Sequence, residues 1–234
     1  MSLYKWALNR KCFFATVNSE ALIDYYNSYF KCGKEKFFLV YDAMTLTSEE
    51  SMTICRRDTY REPYIFFGGK AFRDVDTFCK IVKLLPKIRF KAVILKAMIT
   101  PEMKNLKNLE VLHDIDRDKF NNILCNASLC CIPLSATIPC GLSVMQKAML
   151  MGIPIISTDT PSMKTIIPND DYGFLLSRGD SKGMASKIIT LLNNKELYDK
   201  IVENGHKRMM KFSPENVGKQ LIDVLDNLNN NNHA

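Results

Sequence analysis

The stretch Ser135–Pro161, SATIPCGLSVMQKAMLMGIPIISTDTP, restricts the fold more than any other part of the chain. A short apolar run, Leu129-Cys-Cys-Ile132, precedes it and has the length of a buried strand. A loop punctuated by Pro133 and Pro139 follows. Gly141-Leu-Ser143 then opens a segment with Leu142, Met145, Met149 and Leu150 on roughly one helical face. Gly152 stands where a helix C-cap belongs, Pro154 lies just beyond it, and Ile153-Pro-Ile-Ile156 is a second apolar run. Strand, loop, helix and strand in that order make one parallel unit. The helix start leaves the backbone N–H groups of Gly141, Leu142 and Ser143 facing the loop, a ready place for an anion. Most units of this shape bind nothing there, so the shape alone does not give a function.

The same rhythm begins at Pro63. Tyr64-Ile-Phe-Phe67 reads as a strand ending in Gly68-Gly69, followed by Lys70-Ala-Phe-Arg73-Asp74. The helix after it carries Val75, Phe78, Cys79, Val82 and Leu85 at helical spacing, and Pro86 closes it. Glycines there let the backbone approach a ligand, and Lys70 and Arg73 supply charge-assisted bonds to phosphate. Gly-Gly-Lys alone is a weak motif. Phe90–Leu95 and Leu109–Leu112 are the next strands. His113-Asp114-Ile115 follows the second, at a strand end where open α/β sheets bind ligands. His113 reads equally well as a surface turn residue. Asp116 is an N-cap for the helix through Phe120, Ile123 and Leu124. After Pro161 come a short helix, a turn at Asn169–Gly173, a last strand at Phe174–Leu176 and a helix capped by Asp180. Glu196–Phe212 and the segment from Pro214 are amphipathic helices. Asn227–Asn232 is low-complexity and expected to be disordered.

Composition removes several classes. With 47% hydrophobic and 24% charged residues the chain is ordinary globular material. The net charge of +7 is spread along helical segments and forms no basic stripe, so no nucleic-acid partner is expected. The eight cysteines include no C-x-x-C pair. Cys125, Cys130 and Cys131 fall in apolar stretches and read as buried thiols. Cys12, Cys32, Cys55, Cys79 and Cys140 have no metal-ligand spacing, and the three histidines are scattered. A cytoplasmic location is expected, with at most peripheral contact to the inner face of a membrane. No apolar run reaches the length of a membrane span.

The pattern P-x-G-L-S-x-x-x-K-A-M-x-x-G-x-P-I-I-S-T-D-T-P resembles the donor-binding segment of GT-B glycosyltransferases, closest to retaining family 4. The Ala-Met pair, Gly152, Pro154 and Asp159-Thr-Pro161 match that segment. The family usually has a Glu three residues before the Gly and another five after it; this chain has Ile138 and Gln146 there. The resemblance runs in order from about residue 12 to 228. It implies a Rossmann-like parallel sheet flanked by helices, the C-terminal half of a GT-B fold, with a truncated N-terminal domain remnant.

By that resemblance Gly68-Gly69-Lys70 and Arg73 hold the diphosphate of a nucleotide diphosphate sugar. His113 and Asp114 lie in the loop that contacts the nucleobase. Gly141, Leu142 and Ser143 supply N–H groups, and Gln146 reaches the ribose hydroxyls. No catalytic residue is assigned, and neither a cofactor nor a metal is expected. The implied reaction transfers a sugar to a glycan or lipid-linked acceptor with retention.

Residues 1–62 read as strand (Cys12–Val17), helix (from Asn18-Ser19-Glu20), strand (Lys36–Tyr41) and a polar linker. They resemble the end of the family's acceptor domain; alternatively they add strands to a single domain. The expected division is 1–62 as that remnant, 63–212 as the nucleotide-sugar-binding domain, 213–228 as a C-terminal helix and 229–234 as a tail. Under the first alternative most of the acceptor domain is missing, and a partner chain would have to supply it. A non-catalytic or split sugar-nucleotide binder is the competing class. An epimerase of the same architecture fits less well, for want of acid/base residues.

Overall fold

The computed structural model describes residues 3–10, 13–46, 63–136 and 141–232. Cys12, Cys55, Ile138, Pro139, Cys140 and most of the expected 42–62 linker lie outside the described residues. Contacts divide the chain into two units, 1–44 with 210–234, and 45–209.

The first unit contains α1 (Leu3–Leu8), β1 (Ala15–Val17), α2 (Glu20–Phe30) and β2 (Phe37–Leu39). β1 and β2 are parallel, with Ala15 opposite Phe37 and Val17 opposite Leu39. Leu8, Val17, Leu22, Cys32 and Phe37 form a small core under α2. The expected strands shorten to three residues each. α1 was not anticipated.

The helix Pro214–Asn232 belongs to this unit by its contacts, instead of standing alone after residue 212. Phe212 packs its ring 4.8 Å from that of Tyr41, and its carbonyl accepts from the Met44 N–H at 2.8 Å. The Tyr41 N–H donates to Gln220 Oε1 at 3.3 Å. The low-complexity Asn227–Asn232 stretch, expected to be disordered, lies in the helix as far as Asn232. Extending a formed helix needs no new nucleus, so even poor formers such as asparagine are carried along.

In the second unit the elements are β3 (Tyr64–Gly69), α3 (Val75–Leu84), β4 (Arg89–Ile94), α4 (Pro101–Lys104), β5 (Leu109–Leu112), α5 (Arg117–Cys125) and β6 (Leu129–Ile132). They continue with α6 (Leu142–Leu150), β7 (Ile155–Thr158), α7 (Pro161–Ile166), β8 (Phe174–Leu176), α8 (Ser181–Asn193) and α9 (Lys195–Met209). The six strands are parallel in the order β5-β4-β3-β6-β7-β8. β3 and β6 are buried along their whole length, as central strands covered on both faces must be. Their apolar runs in the sequence reflect this. Phe67 stacks on Phe78 with centroids 4.0 Å apart, and Phe90 meets Phe78 edge-on.

The helix starts follow the expected chemistry. Asp116 Oδ1 accepts from the Lys119 N–H at 2.7 Å, and Asp180 Oδ1 from the Gly183 N–H at 2.8 Å. From β3 the chain runs to β4 and β5 on one side, then returns to β6 on the other. The crevice beyond the C-terminal ends of β3 and β6 is therefore the place where an open sheet of this kind receives a ligand.

Candidate functional site

Two glycine turns frame that crevice. β3 ends at Gly69 with φ 123°, and α6 begins after Gly141 with φ 78°. Both values lie where only glycine is comfortable. A side chain would also have no room: a Cβ on Gly69 would fall on the Arg73 guanidinium, and one on Gly141 would lie 3.2 Å from Arg73 Nη1.

Arg73 thus sits between the two turns. It is only 6% exposed. Its Nε donates to the Gly68 carbonyl at 2.6 Å and its Nη1 to the Ala71 carbonyl at 2.8 Å. The sequence alone gave it the same phosphate-binding task as Lys70. The structure separates them, since Lys70 is exposed and Arg73 holds backbone. Arg73 still contributes to the cavity wall.

The loop between Lys70 and Asp74 is tied to the segment after β6. Ser135 N–H donates to the Phe72 carbonyl at 3.0 Å, and Asp74 N–H to the Pro133 carbonyl at 3.0 Å. Arg73 and Leu134 form an antiparallel bridge between these ties. These bonds hold the loop after β3 against the segment after β6. Beneath them lies Cys130, whose thiol is pushed up to about 12 by burial, with the Arg73 charge pulling the other way. At neutral pH it is a protonated packing group and no nucleophile.

A cavity of about 590 Å³ opens above, with Lys70, Phe72, Arg73, Arg117, Gly141 and Ser143 in its wall. Gly69, Lys70 and Ile115 also border a second, smaller cavity of about 150 Å³ that includes Leu95 and Asp114. The first-turn N–H groups of α6 have no acceptor within the helix, and Ser143 is exposed among them. Three lysine or arginine residues (Lys70, Arg73 and Arg117) and a helix start around one cavity suit an anion with two phosphates; the second cavity suits a flat group.

The remaining expected residues divide. Gly68 is buried inside β3, and Leu142 is 8% exposed and turned into the core, so each offers at most backbone. Asp114 has φ 52°, borders the smaller cavity and accepts from or pairs with His113 Nδ1 at 2.8 Å. His113 itself borders neither cavity. Gln146 is 4% exposed, and its Oε1 is buried with no hydrogen-bond partner among the described residues. An orphaned amide oxygen is costly, which marks a place where a donor is missing. Phe72 and Arg117 were not singled out in the sequence. Among the described residues no group of three His, Cys, Asp or Glu side chains is placed to hold a metal ion. No helix among them is long and apolar enough to cross a membrane.

Comparison with known proteins agrees with this architecture. Residues 62–194 match the family described as Glycosyl transferases group 1. The capsular polysaccharide biosynthesis glycosyltransferase CapM of Staphylococcus aureus is 32% identical over 85 residues, which are 36% of this chain and 22% of that protein. The phosphatidyl-myo-inositol mannosyltransferase of Mycobacterium leprae is 25% identical over 83 residues, again 36% of this chain and 22% of that one. The matched segment thus spans about a fifth of these relatives' length. Among solved structures, Anabaena HepE in complex with UDP superposes with a TM-score of 0.75 at 14% identity, covering 92% of this chain and 64% of that one. Sucrose-phosphate synthase from Thermosynechococcus elongatus gives 0.75 at 18% identity, covering 96% and 60%. At such identities the likeness is one of fold.

Proposed function

Since the chain belongs to the glycosyl transferases group 1 family and has the Rossmann-like sheet of GT-B enzymes, we propose that its crevice binds a nucleoside diphosphate sugar for transfer to a glycan or lipid-linked acceptor with retention. The cavity of about 590 Å³ at the β3–β6 switch point, walled by Lys70 and the start of α6, carries this reading. UDP in the complex of HepE, a structural neighbour, supports it.

Lys70 and the N–H groups of Leu142 and Ser143 meet the diphosphate. They stabilise the negative charge that grows on it as the sugar leaves. Arg73 sets the two glycine turns and adds its charge from below. Gln146 is the residue set against the ribose hydroxyls, but it lines neither cavity and its Oε1 is buried, so it would accept from the ribose only once its side chain turned outward. The nucleobase enters the smaller cavity beside Asp114. These groups need no metal. The site of action is the cytoplasm, with any membrane contact limited to its inner face.

A second reading is a non-catalytic or split donor-binding subunit that works with a partner chain. The neutral Gln146 in place of the family's usual Glu favours it, as does the two-stranded sheet of the first unit. Calorimetry with UDP and GDP tests the common premise. Micromolar to millimolar binding of one of them is expected, with Lys70→Ala weakening it about tenfold through loss of a charge-assisted bond. No binding of either, or equal affinity in the variant, would refute the donor site. Sugar release or transfer by the purified chain separates the first reading from the second.

A further inference from the structure

Phe72 is a residue that the donor-site reading leaves unused. It has φ 53°, in the left-handed region that a bulky side chain seldom occupies. The residue is 46% exposed, in a unit whose other phenylalanines are mostly buried. No aromatic or cation–π partner accompanies it among the described residues. Its backbone, by contrast, is fixed: the carbonyl accepts from Ser135 and the flanking Arg73 bridges Leu134. A strained backbone holding a bare aromatic ring in place is unfavourable for folding alone. The ring forms part of the wall of the large cavity, beside Arg73, Arg117, Gly141 and Ser143.

We infer that Phe72 is a stacking platform for a sugar ring in this cavity. Ile115, Phe120 and Val144 also line this cavity, and among its large apolar residues Phe72 is the one that lies between Lys70 and Arg73 in the chain. Pyranose rings present a face of C–H groups with slight positive charge, and an aromatic face is negative, so the two attract. Small-molecule sites usually pair an apolar and aromatic lining with a small number of placed polar groups, and a ring beside Lys70 and Ser143 fits that division. The sugar is either the one on the donor or one on the acceptor; both present the same face. The inference rests on the donor-site reading for what lies beside the ring, and it makes Phe72 a specificity-determining residue, with no part in bond breaking.

The test uses the full chain in two arms. In the first, calorimetry compares UDP with UDP-glucose and UDP-N-acetylglucosamine, and GDP with GDP-mannose, in wild type, Phe72→Ala and Phe72→Trp. In the second, saturation-transfer NMR follows methyl glucoside, methyl mannoside and maltose, with and without the nucleotide. Phe72→Ala is expected to weaken the sugar-dependent part of binding about three- to tenfold in one arm, and Phe72→Trp to restore it. Bare UDP and GDP should be unaffected. A loss in the first arm assigns the ring to the donor sugar, and a loss confined to the second assigns it to the acceptor. Equal losses for bare and sugar-bearing nucleotides, or no loss in either arm, would overturn the inference. Wild-type protein that binds no nucleotide refutes the donor-site reading, while the glycoside arm run without nucleotide still reads the ring. Phe72→Gly relieves the positive φ, so its melting temperature should match or exceed that of wild type. A clear fall would show that the ring packs for stability instead.

Discussion

β3 and β6 bury every residue along their length, whereas β1 and β2 bury only Val17 and Phe37. Both pairs are parallel and both have a helix nearby. The difference lies in what covers the second face. In the six-stranded sheet, helices close both sides and the core runs through Phe67, Phe78, Phe90, Leu129 and Ile188. In the first unit the core among the described residues gathers only Leu8, Val17, Leu22, Cys32 and Phe37 around α2. Its aromatic groups Tyr4, Trp6, Phe13, Tyr25 and Tyr29 stay exposed. Parallel strands depend on burial more than antiparallel ones do, so stability should concentrate in the larger sheet.

Core truncation should show this contrast most strongly. Phe67→Ala removes a fully buried ring stacked on Phe78 and should cost about 3–5 kcal/mol in denaturant unfolding. Phe37→Ala, in the small core, should cost clearly less, since its surroundings are half-open and can close over the gap. Comparable costs would mean that the first unit is packed as firmly as the sheet. Hydrogen exchange then reads the same contrast without mutation. Amides of β3, β4 and β6 should exchange on the order of a hundredfold more slowly than those of β1 and β2, because the smaller unit opens on its own. One common rate would show a single cooperative block.

Much of the larger unit was legible in the sequence, because buried strands advertise themselves as apolar runs and caps as isolated aspartates. All six of its strands, the Asp116 and Asp180 caps, and the buried Cys125, Cys130 and Cys131 were anticipated from such local signals. The site was legible only in part. Gly69, Lys70, Gly141 and Ser143 stand together at the crevice. That Arg73 turns inward, and Phe72 outward, depends on ties to Pro133, Leu134 and Ser135, sixty residues away along the chain. Alternating orientation in a short loop leaves no periodic trace. The attachment of residues 210–232 to the first unit was hidden for the same reason: it rests on Phe212 meeting Tyr41.

The division of labour between the two cations of the loop gives a smaller effect. Arg73→Ala leaves the Gly68 and Ala71 carbonyls without their donor in a buried place and should cost about 2–3 kcal/mol of stability. Lys70→Ala, at an exposed position, should change stability by no more than about 0.5 kcal/mol while still weakening nucleotide binding. Thermal unfolding set beside calorimetry tests the pair. If Arg73→Ala proved neutral for folding, its main work would be on the ligand, and the two residues would be alike after all.

The last expected effect comes from pH and locates the tightness of the larger sheet at one atom. Burial pushes the Cys130 thiol from 9.0 up to about 12 in the folded chain, and the Arg73 charge only partly opposes it. The folded state therefore keeps this proton at pH values where the unfolded state has lost it. The sign follows: the stability contributed is complete below about pH 9 and is lost as pH rises towards 12, each pH unit in that window costing at most about 1.4 kcal/mol. Cys79, pushed up to about 11 chiefly by burial, adds the same trend over a narrower window. Denaturant midpoints measured at pH 8, 9.5 and 10.5 should fall in wild type. They should fall less steeply in Cys130→Ala, whose unfolded state has one proton fewer to release. The comparison of slopes cancels the lysines, which titrate in both proteins. Parallel slopes would mean that water reaches Cys130 in the folded state, and the floor beneath the two glycine turns would then be looser than its complete burial requires.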